Sequence, residues 1–193
     1  MQYLLYIHGF LSSPQSLKAR VTASWMAEHH PDITFLCPEL SSYPQQASAA
    51  LNELTAELPA EQIGVIGSSL GGFWATWLLE RQRVKRAVLI NPAVTPQNLV
   101  GELLDKPLKN YYSSAEYRLD SSHVAALKTC DYANLRRPEA YWLMVQKGDE
   151  TLPYEQSVAK YHASRQTIEE GGSHTFDGYE NWLPEILNFL QTP

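Results

Sequence analysis

The chain has 193 residues, 44% of them hydrophobic and 19% charged, with a formal net charge of -6 at pH 7. That length suits one domain burying roughly 70% of the surface its unfolded form exposes, and so ordinary a balance excludes a disordered or low-complexity architecture. The negative charge, relieved only by short basic stretches at 81–86 and at Arg136 and Arg137, argues against nucleic-acid or anionic membrane partners, and no apolar run approaches the roughly 20 residues a membrane-spanning helix needs.

The first apolar run, 4–7, is too short for a signal-peptide core and has no basic leader. It reads as a buried first strand of a soluble, cytoplasmic protein, and it leads into His8, Gly9 and Phe10. Residues 16–28 have helical spacing, 33–36 predict a second strand and 45–58 a second helix. The third strand, 63–66, runs through Gly67, Ser68, Ser69, Leu70, Gly71 and Gly72 into a helix over 72–81, and a fourth strand, 87–90, ends at Asn91. Residues 92–138 then break the rhythm. They carry Tyr111, Tyr112, Tyr117 and His123 with patches of helical spacing and no clear strand. An excursion of that length predicts a small helical cap or lid over a site.

A fifth strand, 141–145, precedes Lys147, Gly148, Asp149 and Glu150; a helix over 154–162 follows, then a polar strand, 166–169, suited to an edge. Gly171 and Gly172 turn the chain into Ser173 and His174, and a helix over 179–190 closes it. Short apolar runs alternating with helical patterns predict an α/β fold in one domain spanning 1–193, a mostly parallel sheet with helices on both faces. Cys37 and Cys130 are too few for a disulfide framework and too isolated for a metal site. They read as reduced packing residues, and no metal is expected.

The chemistry centres on G-x-S-x-G at 67–71, set between a strand and a helix, the context that gives the motif its meaning. The turn is so tight that Gly67 and Gly71 must lack bulk, which leaves Ser69 held out at the carboxyl edge of the sheet. A P-loop is excluded because Phe73 stands where its lysine belongs, and Ser68, without symmetric glycines, should point into the turn. A serine hydroxyl needs a neutral histidine as base and a carboxylate to orient it. In sheets of this kind the chain order is serine, acid, histidine. Asp149 and His174 satisfy it, each following its own strand; Glu150 is the competing acid and Asp131 a distant third. Asn91 ends a strand where some such enzymes carry the acid, but an amide cannot stabilise imidazolium.

An oxyanion beside Ser69 would be met by the backbone N–H of Leu70 and, from the loop after the first strand, that of Phe10. His8 reads as a hydrogen-bonded scaffold residue. His29, His30 and His162 close helices; His123, in the presumed cap, is left open.

His8-Gly9-Phe10, the Gly67 to Gly72 turn with Phe73-Trp74-Ala75-Thr76-Trp77, Asn91-Pro92-Ala93, Gly148-Asp149 and Gly171-Gly172-Ser173-His174 together resemble the YqiA-like esterases, small bacterial α/β-hydrolases, along essentially the whole chain. The resemblance implies an α/β-hydrolase sheet without the first strands of larger relatives, no cofactor, a triad at Ser69, Asp149 and His174, and carboxylesterase activity on short acyl esters, with acyl-CoA thioesters as a further substrate class. Acyl transfer or thioester cleavage by the same triad is the alternative chemistry. A non-catalytic binding protein that kept the fold is the alternative of another class. The expected partner is a small acyl ester or thioester, and the oligomeric state is left open.

Overall fold

The computed structural model describes residues 1–192. In chain order its elements are β1 (Tyr3–Ile7), α1 (Leu17–His29), β2 (Thr34–Leu36), α2 (Pro44–Ala56), β3 (Ile63–Ser68), α3 (Leu70–Glu80), β4 (Arg86–Ile90) and α4 (Pro96–Gly101). There follow β5 (Pro107–Lys109), β6 (Glu116–Arg118), α5 (Ser121–Cys130), β7 (Tyr141–Gln146), α6 (Tyr154–Lys160), β8 (Arg165–Glu169) and α7 (Leu183–Gln191). Six strands form one parallel sheet in the order β2-β1-β3-β4-β7-β8. From β1 the chain steps outward to β2, returns past β1 to β3, and then adds every later strand on that side. The reversal between β1 and β3 opens a crevice at their carboxyl ends, where open α/β sheets bind ligands.

Strands covered on both faces must be apolar at every position, which is why 4–7, 63–66 and 87–90 read as continuous runs. Their side chains alternate between two cores. Leu5, Ile7, Val65, Leu89, Leu143 and Val145 pack with Ala47 and Leu51 of α2 and Phe73, Trp74 and Trp77 of α3. Leu4, Tyr6, Ile66, Val88, Ile90, Trp142 and Met144 pack with Ala19 and Met26 of α1 and Ile186, Leu187 and Leu190 of α7. Helix α3 is buried from Gly71 to Glu80. The Glu80 carboxylate is satisfied there by the Tyr141 hydroxyl at 2.7 Å and the Arg136 N–H at 3.2 Å. The predicted helix at 179–190 is two pieces, a 3-10 turn over Tyr179–Trp182 and then α7. Pro184 sits in the first turn of α7, where a missing N–H costs nothing.

Residues 92–138 supply the helical insertion, α4 and α5, but also an antiparallel pair, β5 and β6, that the sequence reading did not foresee. Each strand has three residues, and only the central Leu108 and Tyr117, paired across the ladder, are half-buried. So short an alternation carries no legible period. Helix α5 is capped by Asp120, which accepts from Ser122 N, while His123 Nδ1 accepts from Asp120 N at 3.0 Å: a capping box with histidine in place of glutamate. His123 also stacks on Tyr43 at 5.0 Å and Tyr117 meets the same ring edge-on at 5.1 Å. Both therefore fasten the insertion to the start of α2. No helix among the described residues is long and apolar enough to cross a membrane.

Candidate active site

Ser69 closes β3 with φ 55° and ψ -121°, a backbone inversion rare for a residue with a side chain. Strain of this kind costs about 1–3 kcal/mol and persists only where the surroundings over-determine it. Here the Ser69 N–H donates to Ile90 O at 3.0 Å, while its carbonyl accepts from Gly72 N at 2.9 Å and Ala93 N at 3.0 Å. The glycine spacing has a direct cause: a Cβ on Gly67 would lie 2.3 Å from Gly71 O, and one on Gly71 2.0 Å from Ile7 O.

The inversion presents Ser69 Oγ to His174, whose Nε2 lies 3.1 Å away. On the other side of the ring, His174 Nδ1 is 2.8 Å from Asp149 Oδ2 and 3.0 Å from Oδ1. A carboxylate can only accept, so Nδ1 carries the proton and Nε2 keeps its lone pair for the serine hydroxyl. The Asp149 side chain is 2% exposed against 23% for His174. Burial works against its ionisation, but hydrogen bonds from His174 and from the N–H groups of Leu152 and Thr151, both at 2.8 Å, outweigh it and hold the carboxyl below its ordinary value. Glu150 meets the same histidine differently: it is exposed, and its Oε2 accepts from the His174 backbone N–H at 3.0 Å rather than from the ring. Asp131 lies elsewhere, bonded to Lys160 Nζ at 2.9 Å and Gln97 Nε2 at 3.1 Å.

Two residues hold the histidine loop: Asn91, which the sequence reading weighs only as an acid and rejects, and Gln146, to which it gives no role. Asn91, at φ 40°, ends β4 with its side chain 2% exposed as a whole residue and fully engaged. Its Nδ2 donates to Ser173 O at 2.9 Å and His174 O at 3.1 Å, and its Oδ1 accepts from Gln146 N at 3.1 Å. The Gln146 Oε1 accepts from Ser173 N at 3.1 Å and Asp177 N at 2.8 Å, and its Nε2 donates to Glu169 at 2.7 Å and to Asp177 O at 2.9 Å. The place of Asn91 at the end of a strand beside the serine turn marks it in the sequence, but its role as a clamp shows only in its bonds to Ser173 and His174.

The N–H groups of Phe10 and Leu70 have no partner among the described residues, and both residues line the cavity beside Ser69. The loop carrying Phe10 is pinned by buried His8. Leu40 N donates to its Nε2 at 3.1 Å, so Nδ1 bears the proton and donates to Gly9 O at 3.0 Å. Burial keeps that ring neutral by lowering its pKa, against the hydrogen bond to Gly9. His8 is thus a scaffold residue, as expected. Tyr111 and Tyr112 line the space next to Ser69, whereas Tyr117 and His123 do not. Cys37 and Cys130 are free, half-buried thiols away from the serine, and burial pushes Cys37 up to about 12. Among the described residues no group of three or more His, Cys, Asp or Glu is placed to hold a metal ion.

The chain belongs to the uncharacterised protein family UPF0227, whose model matches residues 3–191, the YqiA-like family to which its motifs pointed. Its structure is similar to that of Est1E from Butyrivibrio proteoclasticus, with a TM-score of 0.68 at 17% identity over 97% of this chain and 86% of that one. It is similar to alpha/beta hydrolase domain-containing protein 10 from mouse, with a TM-score of 0.69 at 14% identity over 96% and 88%. The esterase domain of a Rhodothermus marinus protein matches with a TM-score of 0.63 at 19% identity over 96% and 84%. These likenesses identify the fold as that of the α/β-hydrolases.

Proposed function

We propose, from membership of that family and the geometry at the sheet edge, that the chain is a serine carboxylesterase that hydrolyses short acyl esters through an acyl-serine intermediate. What carries the reading is the continuous hydrogen-bonded line from Ser69 Oγ through the His174 ring to the Asp149 carboxylate, 3.1 Å and 2.8 Å long. In the first half-reaction Ser69 Oγ attacks the ester carbonyl as His174 Nε2 takes the hydroxyl proton, and the oxyanion is met by the N–H groups of Phe10 and Leu70. The C–O bond of the ester then breaks, and His174 returns the proton to the departing alcohol. In the second, His174 draws a proton from water, the hydroxide adds to the acyl carbon, and the acid leaves as Ser69 is reprotonated. Asp149 keeps the ring in the tautomer both steps require. Supporting the reading further, three of the similar structures belong to proteins described as an alpha/beta hydrolase domain protein, an esterase domain and Est1E.

The test is hydrolysis of p-nitrophenyl esters of graded acyl length. Ser69→Ala should lose kcat by about 10⁴ or more, the order of loss when a triad nucleophile is removed, with the folding transition kept. Ser68→Ala should retain activity. Full activity in a folded Ser69→Ala protein contradicts the proposal.

A further inference from the structure

We propose that Lys18 forms a subsite for an anionic oxy group, carboxylate or phosphate, carried on the leaving-group half of the ester. This rests on the reading of Ser69 and His174 given above.

Two cavities meet at Ser69. One, of about 240 Å³, is lined mainly by apolar residues, among them Phe10, Leu70, Leu99, Val100 and Leu152, with Glu102 and Thr151 as its polar members besides Ser69. The other, of about 410 Å³, holds Ser12, Ser16, Lys18, Tyr111, Tyr112 and His174. The general acid must reach the leaving group, because it is the departing oxygen that takes the proton. His174 lines the second cavity and not the first. The acyl chain therefore belongs in the apolar cavity, and the alcohol or thiol half in the one containing Lys18.

Lys18 is a half-buried residue whose ammonium has three protons to donate. One goes to Thr175 O, 2.7 Å away, in the residue that follows His174. It takes part in none of the ion pairs formed among the described residues. Burial destabilises the cation and brings its pKa down to about 8, and the Asp149 carboxylate, which forms no ion pair with it, only partly offsets this. An anion bound at this point would supply the missing partner. The first turn of α1 adds to the same field: its N-cap, Ser16, makes no side-chain cap bond, the turn carries no acidic residue, and Ser16, Leu17 and Lys18 all face the cavity.

The surroundings also define where the anion stops. A groove continues past Leu17, Lys18 and Thr175, but it is lined by Asp177 and Glu180. Negative charge is repelled there, so Lys18 marks the far end of the anionic group.

The test compares three butyrate esters that share one acyl group: ethyl butyrate, the butyryl ester of glycolate, and the butyryl ester of 2-phosphoethanol. Because the alcohols differ in intrinsic reactivity, the readout is the ratio of kcat/KM for each charged ester to that for the neutral one, in wild type and in Lys18→Gln. The proposal expects that ratio to fall by about tenfold or more in Lys18→Gln, the order of one charge-assisted hydrogen bond, and Lys18→Arg to keep most of it. The charged ester with the larger fall identifies carboxylate or phosphate as the source of the anion. Should Lys18→Gln not fold, the wild type decides: added salt should raise KM for the charged esters and leave that for ethyl butyrate in place. An equal loss on all three esters would mean that Lys18 only props Thr175 and the histidine loop, and overturns the subsite. So does a salt response shared by the neutral ester. Hydrolysis of none of the three, with no labelling of Ser69 by a fluorophosphonate, overturns the esterase reading and the subsite with it, whereas a hydrolysed neutral ester with an unmoved ratio removes the subsite alone.

Discussion

The two walls of the cavity beside Ser69 are held by opposite means. On the sheet side, Asn91 and Gln146 are 2% and 3% exposed and no polar atom of their side chains is left unbonded: Asn91 Nδ2 and both ends of the Gln146 amide hold the loop that carries His174, while Asn91 Oδ1 accepts from Gln146 N. On the insertion side, Tyr111 and Tyr112 are 77% and 49% exposed. Their segment is tied to the loop after β1 by two bonds, Tyr111 N to Leu11 O at 2.9 Å and Asn110 Nδ2 to Ser12 O at 3.0 Å. The difference teaches where precision is needed. In the proposed mechanism the proton passes between Ser69 and His174 while Asp149 orients the ring, and a misplacement of about 1 Å costs such a step about 10²-fold; those residues follow strand ends locked by buried amides. Contact with a leaving group tolerates adjustment, and two of the residues that line its proposed space, Tyr111 and Tyr112, lie on a thin, exposed hairpin.

The largest effect that sharpens this contrast is at the orienting acid. Asp149→Asn should lower kcat on a short acyl ester by about 10⁴, because an amide can hold the imidazole in the wrong tautomer. Glu150→Gln, whose amide oxygen can still accept from His174 N, should change kcat only severalfold. The opposite ranking would move the role to Glu150. Next comes the clamp. Gln146→Leu strips the Ser173 and Asp177 N–H groups of their acceptor and should reduce kcat by about 10² through misplacement of His174, with KM little changed. It should also lower Tm, since each orphaned buried N–H costs about 1–3 kcal/mol. A Gln146→Leu protein with lowered Tm but unaltered kcat would show that the loop keeps its geometry without the clamp.

A smaller effect concerns acid stability. The Asp149 carboxyl is held below its unfolded value, so its contribution to stability is fully present above the unfolded pKa of about 3.9 and is lost as pH falls through the lower folded value. The stability difference between wild type and Asp149→Asn, followed by urea unfolding, should therefore stay level from neutral pH down to about pH 5 and shrink below about pH 4. A difference that shrinks between pH 7 and 5 instead would assign the linkage to another group. The smallest effect belongs to the insertion: Tyr111→Ala should leave stability within about 0.5 kcal/mol and kcat on ethyl butyrate nearly unchanged, while raising KM for esters with bulky alcohols. A collapse of kcat would make the hairpin part of the rigid wall.

How far all this could be read in the residues follows the same division. The four central strands are legible because burial on both faces requires unbroken apolar runs, and the strands at 33–36 and 166–169 lie at the two edges, which relax that demand. Ser69, Asp149 and His174 were legible because a tight turn imposes Gly67 and Gly71 at fixed spacing and because each partner follows its own strand. Asn91 was noticed for its position and set aside for its lack of charge, since its partners Ser173 and His174 lie 82 and 83 residues away in the chain. Gln146 carried no local signal at all. The β5–β6 hairpin escaped because three-residue strands offer one inward side chain each, and α5 began without the Glu or Gln that marks a capping box, His123 taking that place.

The most direct test of the central claim is covalent. A fluorophosphonate should react with the folded protein to give one adduct per chain, with Ser69 Oγ bonded to phosphorus and fluoride released, and peptide mass mapping should locate it on Ser69. His174→Ala, folded but without its base, should slow that labelling by several orders of magnitude, and Ser69→Ala should abolish it. Labelling at Ser68 or elsewhere, or labelling of Ser69 that proceeds at the wild-type rate in His174→Ala, would contradict a nucleophile activated through the His174 and Asp149 line.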